Sequence, residues 1–206
     1  NVPQAVMGTD AFQEVDIMGV TMPLVKHSYL VRDAADVPAI IEEAFHIART
    51  GRPGPVLIDL PKDIQFQQTD SVRAFHLPND NGIADSAAIM AAAEVIRIAK
   101  RPILYIGGGA KISGAVEAVR EFARLTCIPQ VSTLNALGTI PTGQDNYLGM
   151  LGMHGTRAAN DAVQASDLLI VVGARFDDRA TGKLAEFAPN AGVIHFDVDA
   201  SEIGKL

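Results

Sequence analysis

The sequence predicts an α/β protein with a doubly wound parallel sheet, preceded by an incomplete αβ piece of a second domain. Two observations support this fold class. Short apolar runs alternate with segments of helical periodicity along most of the chain, and three of these runs end directly in glycine or aspartate. Strands that alternate with helices form parallel sheets whose two faces are covered by those helices.

The first part of the chain is predicted to contain one helix and one strand. Apolar residues recur at helical spacing between residues 37 and 48. Asp33 or Asp36 would cap the start of this helix, and Gly51 would end it. The continuous apolar run Val56–Leu60 is typical of a strand buried on both faces. One αβ unit cannot bury a core by itself, so its neighbours are expected elsewhere in a longer protein.

The domain boundaries follow from a loss of periodicity. Residues 66–84 are polar and rich in turn formers, which predicts a linker. Residues 1–65 would then be the end of one domain, and residues 85–206 would be a second domain.

Helices and strands alternate in the second domain. The helices are expected near residues 85–99, 114–126 and 156–165. The strands are expected at residues 102–106, 130–133, 168–172 and 193–196.

Three predicted strands end in residues suited to a nucleotide. Gly107-Gly108-Gly109 follows the first strand, Gly173-Ala174-Arg175 follows the third, and Asp197 follows the last. Ligands of doubly wound sheets lie at the carboxyl ends of the strands, where arginine can pair with phosphate and aspartate with ribose hydroxyls. A nucleotide with a diphosphate is therefore predicted. A tight turn without a ligand stays open, because the glycines complete neither G-x-G-x-x-G nor a Walker A motif.

Two further segments have open interpretations. Arg175–Arg179 is either a ligand loop or a solvated loop with local ion pairs. His154 lies between closely spaced glycines but has no partner at metal-ligand spacing, so no metal site is predicted. Met150 and Met153 in the same segment favour a flexible apolar wall around a ligand.

Composition excludes some classes of partner. The formal net charge of −7 and the absence of a basic stripe argue against nucleic acid. No apolar run reaches the roughly 18 residues that span a bilayer, and no signal peptide is recognised, so a soluble, cytoplasmic protein is expected. The single Cys127 fits a reducing compartment and is predicted to be a buried, inert thiol. Both chain ends are interpreted as cut points within a longer protein.

Four segments together resemble the catalytic subunits of acetohydroxyacid synthase (acetolactate synthase). These segments are Gly8–Glu14, Gly51–Asp63, Gly149–Gly155 and Gly173–Arg179. The resemblance covers nearly the whole chain and is weakest in the linker.

The resemblance implies an identity for each domain. Residues 1–65 would be the C-terminal part of a thiamine pyrimidine-binding domain, and residues 85–206 a truncated, Rossmann-like FAD-binding domain. The family condenses two pyruvates, or pyruvate and 2-oxobutyrate, with loss of carbon dioxide on thiamine diphosphate and Mg²⁺. The acetohydroxy acids serve isoleucine and valine biosynthesis, and FAD carries no net electrons. A homo-oligomer (dimer or tetramer) and a small regulatory subunit are also implied.

The resemblance further implies site residues. Those matching FAD-binding positions are Arg52, Gly107, Gly108, Gly109, Thr133, Leu134, Leu151, Gly152, Met153, His154, Gly173, Ala174, Arg175, Asp177, Arg179, Asp197 and Val198. Those matching the substrate channel are Phe12, Gln13, Lys62, Met153 and Asp178. The family's catalytic glutamate would lie upstream of Asn1, and the Gly-Asp-Gly metal motif does not occur in this chain. No catalytic or metal-binding residue is therefore expected here, and this piece alone is predicted to be inactive.

Two alternatives remain at this point. One is a related thiamine-diphosphate enzyme of the pyruvate oxidase or glyoxylate carboligase type. The other is a stand-alone nucleotide-binding module.

Overall fold

The computed structural model describes residues 1–76 and 84–205, and the chain forms two compact units that divide after residue 82. Part of the predicted linker, residues 77–83, lies outside the described residues. The domain boundaries at residues 65 and 85 stay a prediction.

The first unit is built around two parallel strands. Its elements are α1 (Ile17–Thr21), β1 (His27–Leu30), α2 (Val37–Arg49) and β2 (Val56–Asp59). β1 pairs with β2 in parallel, with His27 opposite Val56 and Leu30 opposite Asp59. β1 was not predicted, because its sequence His-Ser-Tyr-Leu lacks a continuous apolar run.

The expectation that β2 is buried on both faces is wrong within this unit. Ile58 remains 37% exposed, and Asp59 is the strand's buried residue. A two-stranded sheet with so few neighbouring elements cannot cover both of its faces. The predicted end of α2 is confirmed, since Gly51 follows the helix with φ +55°. Of the two predicted caps, the Asp33 side chain accepts from the Ala35 N–H, one turn ahead of the helix.

The second unit is a five-stranded parallel sheet with helices on both faces. Its helices are α3 (Ser86–Ile98), α4 (Gly109–Ile112), α5 (Val116–Thr126), α6 (Arg157–Gln164) and α7 (Asp178–Thr181). Its strands are β3 (Pro102–Ile106), β4 (Gln130–Ser132), β5 (Tyr147–Met150), β6 (Leu168–Val172) and β7 (Gly192–Phe196). The predicted fold class is confirmed by the strand order β5-β4-β3-β6-β7, in which every pair is parallel.

One strand of this sheet is absent from the strands that the sequence predicts. Tyr147–Met150 forms edge strand β5, although Gly149 has φ +95° and the pairing with β4 shifts register between Gln130 and Ser132. A four-residue strand with an interior glycine carries too weak a periodic signal to be recognised.

Alternating side chains of the strands fill two cores. On β3, Ile103 and Tyr105 face the core that α6 covers, while Leu104 and Ile106 face the core that α5 covers. Since the chain proceeds from β3 outward to β5 and then returns to β6, the direction of strand order reverses between β3 and β6. Ligands of such sheets lie at this reversal, over the carboxyl ends of the two strands.

Cys127 is not the buried thiol that the sequence predicted. It is exposed and takes the left-handed conformation (φ 53°) at the end of α5. The left-handed backbone ends the helical repeat at this residue, so its side chain does not follow the apolar face that the helical spacing predicts.

Among the described residues, no helix combines the length and apolar character needed to cross a membrane.

Candidate functional site

The carboxyl ends of β3, β6 and β7 form one continuous edge. The Gly107 N–H donates to the Val172 carbonyl at 2.8 Å, and the Gly109 N–H donates to the Gly173 carbonyl at 3.0 Å. The Gly173 N–H donates in turn to the Phe196 carbonyl at 2.8 Å. The three strand ends predicted from the sequence therefore meet at the reversal of strand order.

The glycines are needed for contact between these strand ends. A Cβ on Gly109 would lie 2.7 Å from the Gly173 Cα, and one on Gly173 would lie 2.6 Å from the Gly109 Cα. Gly173 also has φ +61°, which disfavours any residue with a side chain. In the sequence analysis these glycines are part of a predicted nucleotide site, where a phosphate would lie close to their backbone. The structure shows that the space beside them is filled by the protein's own backbone.

The loop after β6 is held in place by a buried aromatic residue. Phe176 has φ +54° and is almost fully buried, with its ring edge-to-face against Tyr105 at 5.5 Å and His195 at 5.4 Å. Nε2 of His195 lies 2.9 Å from the Ala174 carbonyl and must carry the proton, because a carbonyl only accepts. These contacts fix the backbone on both sides of Arg175.

The loop presents hydrogen-bond donors at the edge. Arg175 is exposed, and within residues 1–76 and 84–205 its guanidinium has neither an ion-pair nor a hydrogen-bond partner. Within the same ranges, the N–H groups of Ala174, Arg175, Phe176 and Asp177 meet no protein acceptor. Consecutive free N–H groups beside an arginine form a donor surface suited to an anion such as a diphosphate.

Asp177 and Arg179 contribute differently from Arg175. The Asp177 carboxylate caps α7 by accepting from the N–H groups of Arg179 at 3.1 Å and Ala180 at 3.2 Å. Arg179 is exposed, with its Nε 3.9 Å from the Asp178 carboxylate, which is too long for a strong hydrogen bond. Asp177 thus shapes the loop, while the guanidinium of Arg179 projects into solvent.

The loop after β5 lies directly against α7. A Cβ on Gly152 (φ +98°) would overlap the Arg179 carbonyl, which accepts from the Met153 N–H at 2.9 Å. The side chains of Met153 (63% exposed) and His154 are at the surface. Leu151 is only 4% exposed and belongs to the core, so this residue could contact a cofactor only through its backbone.

The remaining predicted cofactor residues of this unit lie at the ends of β4 and β7. Thr133 donates its N–H to the Ile106 carbonyl at 2.9 Å, and Leu134 beside it is 68% exposed. Asp197 accepts from the Asp199 N–H at 2.9 Å, and its second oxygen lies 3.7 Å from His195 Nε2. Val198 is exposed. One carboxylate oxygen of Asp197 therefore has a backbone donor, while the other lies beyond hydrogen-bond distance of His195.

The other predicted site residues belong to the first unit. Arg52 and Lys62 are exposed, Phe12 is 89% exposed, and Gln13 is exposed with φ +65°. The predicted channel is thus divided between Phe12, Gln13 and Lys62 in the first unit and the exposed Met153 and Asp178 in the second.

Glu14 organises the segment that carries Phe12 and Gln13. Its carboxylate accepts from the Gly8 N–H and, at 3.0 Å, from the Ala11 N–H. These bonds, with the one from Gly8 the larger cause, hold the pKa of Glu14 below its ordinary value, because they stabilise the charged form. The sequence interpretation included Glu14 in a motif without giving it a role.

The sequence analysis also assigns no functional role to Asn160 or His195. Asn160, in α6, holds the backbone of Gly152 through both atoms of its amide. An asparagine inside a helix is unfavourable and is a signal for such a bond, although it does not identify the partner. His195 follows an apolar strand pattern and gave no signal.

A cavity of about 610 Å³ lies against β6 and β7, lined among others by Leu169, Phe187, His195 and Ile203. None of the predicted cofactor-binding residues lines it. In the part of the chain that the structure describes, no group of three or more His, Cys, Asp or Glu is placed to hold a metal ion.

Comparison with known proteins gives a consistent result. The family model "Thiamine pyrophosphate enzyme, central domain" matches residues 89–206. The chain is 50% identical to the acetolactate synthase isozyme 2 large subunit of Escherichia coli over 200 residues, which are 97% of this chain and 36% of that protein. It is 50% identical to the acetolactate synthase large subunit of Corynebacterium glutamicum (100% and 33%) and 53% identical to that of Mycobacterium tuberculosis (99% and 34%).

The resemblance predicted from the four motifs is thereby confirmed. The chain spans about a third of the length of these curated relatives.

Proposed function

The chain belongs to the thiamine pyrophosphate enzyme family, and on that premise we propose that it is part of an acetolactate synthase large subunit whose central domain binds FAD. The observation that carries FAD binding is the donor surface at Arg175. It combines an unpaired guanidinium with free backbone N–H groups at the reversal of strand order, where a dinucleotide's diphosphate would lie.

We assign the FAD-binding parts to separate segments. Arg175 and the N–H groups of residues 174–177 would bind the diphosphate, and Arg179 would add positive charge. Met153 and His154 would lie along the flavin, and Leu134 is exposed at the neighbouring strand end. Asp197 and Val198 would meet the adenosine, where Asp197 would accept from a ribose hydroxyl while one of its oxygens keeps the Asp199 N–H.

The remaining predicted residues would shape the cofactor site or line the substrate path. Gly107, Gly108, Gly109, Gly173 and Ala174 would shape the edge through their backbone, and Arg52 would approach the cofactor from the first unit. Phe12, Gln13, Lys62, Met153 and Asp178 would line the substrate path. The division into a pyrimidine-binding piece (1–65), a linker (66–84) and the FAD domain (85–206) is part of the same proposal.

The proposed reaction joins two 2-oxo acids with loss of carbon dioxide. The first substrate would be pyruvate and the second pyruvate or 2-oxobutyrate. Thiamine diphosphate, when bound with Mg²⁺, would supply the electron sink for the decarboxylation. This chain's own residues would position FAD and shape the substrate path, and the catalytic residues would lie in the rest of the protein.

The proposed partners follow the names of the relatives. Those relatives are called large subunits, and we propose a small regulatory subunit for this protein as well. We also propose a homo-oligomer and a cytoplasmic location. The matched names favour this function over an oxidase or a glyoxylate carboligase, and the family match disfavours a stand-alone module.

The test uses the full-length protein. We expect about one FAD released per chain on denaturation, and acetolactate formation from pyruvate that requires thiamine diphosphate and Mg²⁺. Acetolactate is measured as acetoin after acid decarboxylation. A protein without flavin would contradict the cofactor assignment. Oxygen consumption with pyruvate, in place of acetolactate formation, would contradict the reaction.

A further inference from the structure

The side-chain amide of Asn160 binds both the backbone N–H and the backbone carbonyl of one residue, Gly152, in the loop after β5. Its Oδ1 accepts from the Gly152 N–H at 2.8 Å, and its Nδ2 donates to the Gly152 carbonyl at 3.0 Å. Both distances lie in the range of good hydrogen bonds. A carboxamide offers a donor and an acceptor at this spacing, and the Gly152 carbonyl accepts in addition from the Gly155 N–H at 2.9 Å.

Gly152 connects Asn160 to α7, because the backbone of Gly152 packs against the backbone of α7. With φ +98° it lies so close to the next loop that a Cβ would overlap the Arg179 carbonyl and would lie 2.9 Å from the Ala180 Cα. The following N–H, of Met153, donates to the same Arg179 carbonyl at 2.9 Å. A displacement of Gly152 would therefore move Met153 and the start of α7 together.

The helix that carries Asn160 is a rigid support. α6 is anchored by Ala159 and Val163, which are essentially fully buried. Its N-cap, Thr156, accepts from the Ala159 N–H at 3.1 Å and donates to the Leu148 carbonyl at 2.6 Å. The helix is thus fixed to β5 without help from Asn160.

Asn160 is therefore not needed to hold α6 in place. Asparagine costs roughly half a kcal/mol relative to alanine inside a helix, so its presence calls for a compensating contact. The contact found is with the loop and not with the core.

We propose that Asn160 is a positioning residue for the flavin. It fixes the backbone of Gly152 so that Met153 and His154 on one loop and Arg179 on the other keep the spacing that FAD binding requires. Asn160 acts through Gly152 and does not itself touch the cofactor. The inference rests on the proposed binding of FAD at this edge.

The test compares Asn160→Asp and Asn160→Ala in the full-length protein. Asn146→Asp is the matched control, because Asn146 also donates through Nδ2 to a backbone carbonyl, that of Cys127 at 3.0 Å. Asn146 precedes β5 and so lies at the opposite edge of the sheet. For each protein, the dissociation constants of FAD and of thiamine diphosphate and the thermal midpoint without FAD are measured.

At neutral pH we expect both Asn160 variants to bind FAD roughly tenfold or more weakly, since one lost hydrogen bond is worth about that factor. Thiamine diphosphate affinity should change less than twofold, and the thermal midpoint should fall no further than in the control. In Asn160→Asp, FAD affinity should recover as pH falls towards the ordinary aspartate pKa of about 4, because a protonated carboxyl group can again donate to the Gly152 carbonyl. Asn160→Ala should show no such recovery.

Two results would overturn the inference separately from the proposed function. If wild type and Asn146→Asp bind FAD and the Asn160 variants bind it equally well, positioning by Asn160 is refuted while FAD binding stands. If FAD and thiamine diphosphate affinities fall together with the thermal midpoint, the residue is merely structural. A wild-type protein that binds no FAD would refute the proposed function and this inference together.

Discussion

Gly107 and Gly173 touch backbone to backbone at the ends of β3 and β6. A methyl group on Gly107 would overlap the carbonyl oxygen of Gly173 and would lie 2.5 Å from the Ala174 Cα. Backbone atoms cannot rotate away as a flexible side chain can. The two strand ends can therefore form a common edge only while position 107 has no side chain.

Gly107→Ala should destabilise the second unit strongly. Overpacking in a close-packed region costs about 1–3 kcal/mol and sometimes more, and a clash with backbone belongs at the upper end. The matched control is Gly192→Ala, where the nearest atom, a Leu168 methyl carbon, lies at an ordinary 3.9 Å. Thermal unfolding of the FAD-free protein should show a much lower midpoint for Gly107→Ala and almost none of this loss for Gly192→Ala. Equal midpoints for the two variants would contradict the contact.

Arg175 should determine FAD affinity more than protein stability. A hydrogen bond to a charged group is worth about 1.5–3 kcal/mol, so Arg175→Ala should raise the FAD dissociation constant roughly 10- to 150-fold. Arg175→Lys keeps the charge but loses the two-pronged geometry, so an intermediate loss is expected. Flavin fluorescence titration of the apoprotein measures both.

The control for Arg175 is Arg124→Ala, which removes a similarly exposed arginine at the other edge of the sheet. Arg124 lies in the last turn of α5 and pairs with Glu121 at 2.7 Å. We expect Arg124→Ala to bind FAD as tightly as the wild-type protein does. If Arg124→Ala weakens FAD binding as much as Arg175→Ala does, only the net charge matters and the donor surface is not the diphosphate site.

Strands with a long continuous apolar run were the ones that the sequence predicted most directly. Pro102–Ile106 and Leu168–Val172 are continuous apolar runs and were placed correctly. His27–Leu30 and Tyr147–Met150 were missed, because polar or glycine residues interrupt them and only pairing with a neighbouring strand makes them extended.

In the candidate site too, features local in the sequence could be predicted, whereas contacts between distant residues could not. The sequence predicted a role for Arg175 because this charged residue comes just after a buried strand and two small residues. It could not show that Leu151 points into the core while Met153 points outward, since loops have no fixed periodicity. Nor could it pair Asn160 with Gly152, because that contact depends on where α6 packs.

Glu14 should hold the segment from Gly8 to Glu14 in order over a wide pH range. Its pKa is lowered, so this ordering is present above the pKa of the unfolded chain and is lost as pH falls through the lower folded value. Glu14→Gln offers one acceptor oxygen where the carboxylate offers two, so the Gly8 and Ala11 N–H groups cannot both be satisfied equally well.

Hydrogen exchange followed by mass spectrometry tests this role. At neutral pH, peptides covering residues 8–14 should exchange faster in Glu14→Gln than in wild type, and the KM for pyruvate should rise if Phe12 and Gln13 line the channel. Glu117→Gln is the control, since Glu117 is a highly exposed helical residue paired with Arg120 at 2.8 Å. Unchanged exchange in Glu14→Gln would show that the two hydrogen bonds do not order the segment.

The buried hydroxyl of Tyr105 should contribute nothing to stability at neutral pH. Within the described residues this hydroxyl has no hydrogen-bond partner, whereas the Tyr147 hydroxyl lies 2.7 Å from Ser132 Oγ. We therefore expect Tyr105→Phe to leave the free energy of unfolding unchanged or to raise it by about 1 kcal/mol, and Tyr147→Phe to lower it by about 1 kcal/mol. A loss in Tyr105→Phe as large as that in Tyr147→Phe would contradict the geometry.

The same pair of variants gives a pH signature. Burial, aided by the negative charge of Asp177, raises the pKa of Tyr105 above its ordinary range. Ionisation of Tyr105 is therefore harder in the folded than in the unfolded chain. The free energy of unfolding is unaffected by this ionisation below the unfolded tyrosine pKa of about 10, and it falls as pH rises through the higher folded value. Tyr105→Phe should be less sensitive than wild type to unfolding above pH 10, as measured by circular dichroism. Tyr147→Phe, which keeps Tyr105, should retain the alkaline sensitivity, and its disappearance there would assign the effect to Tyr147.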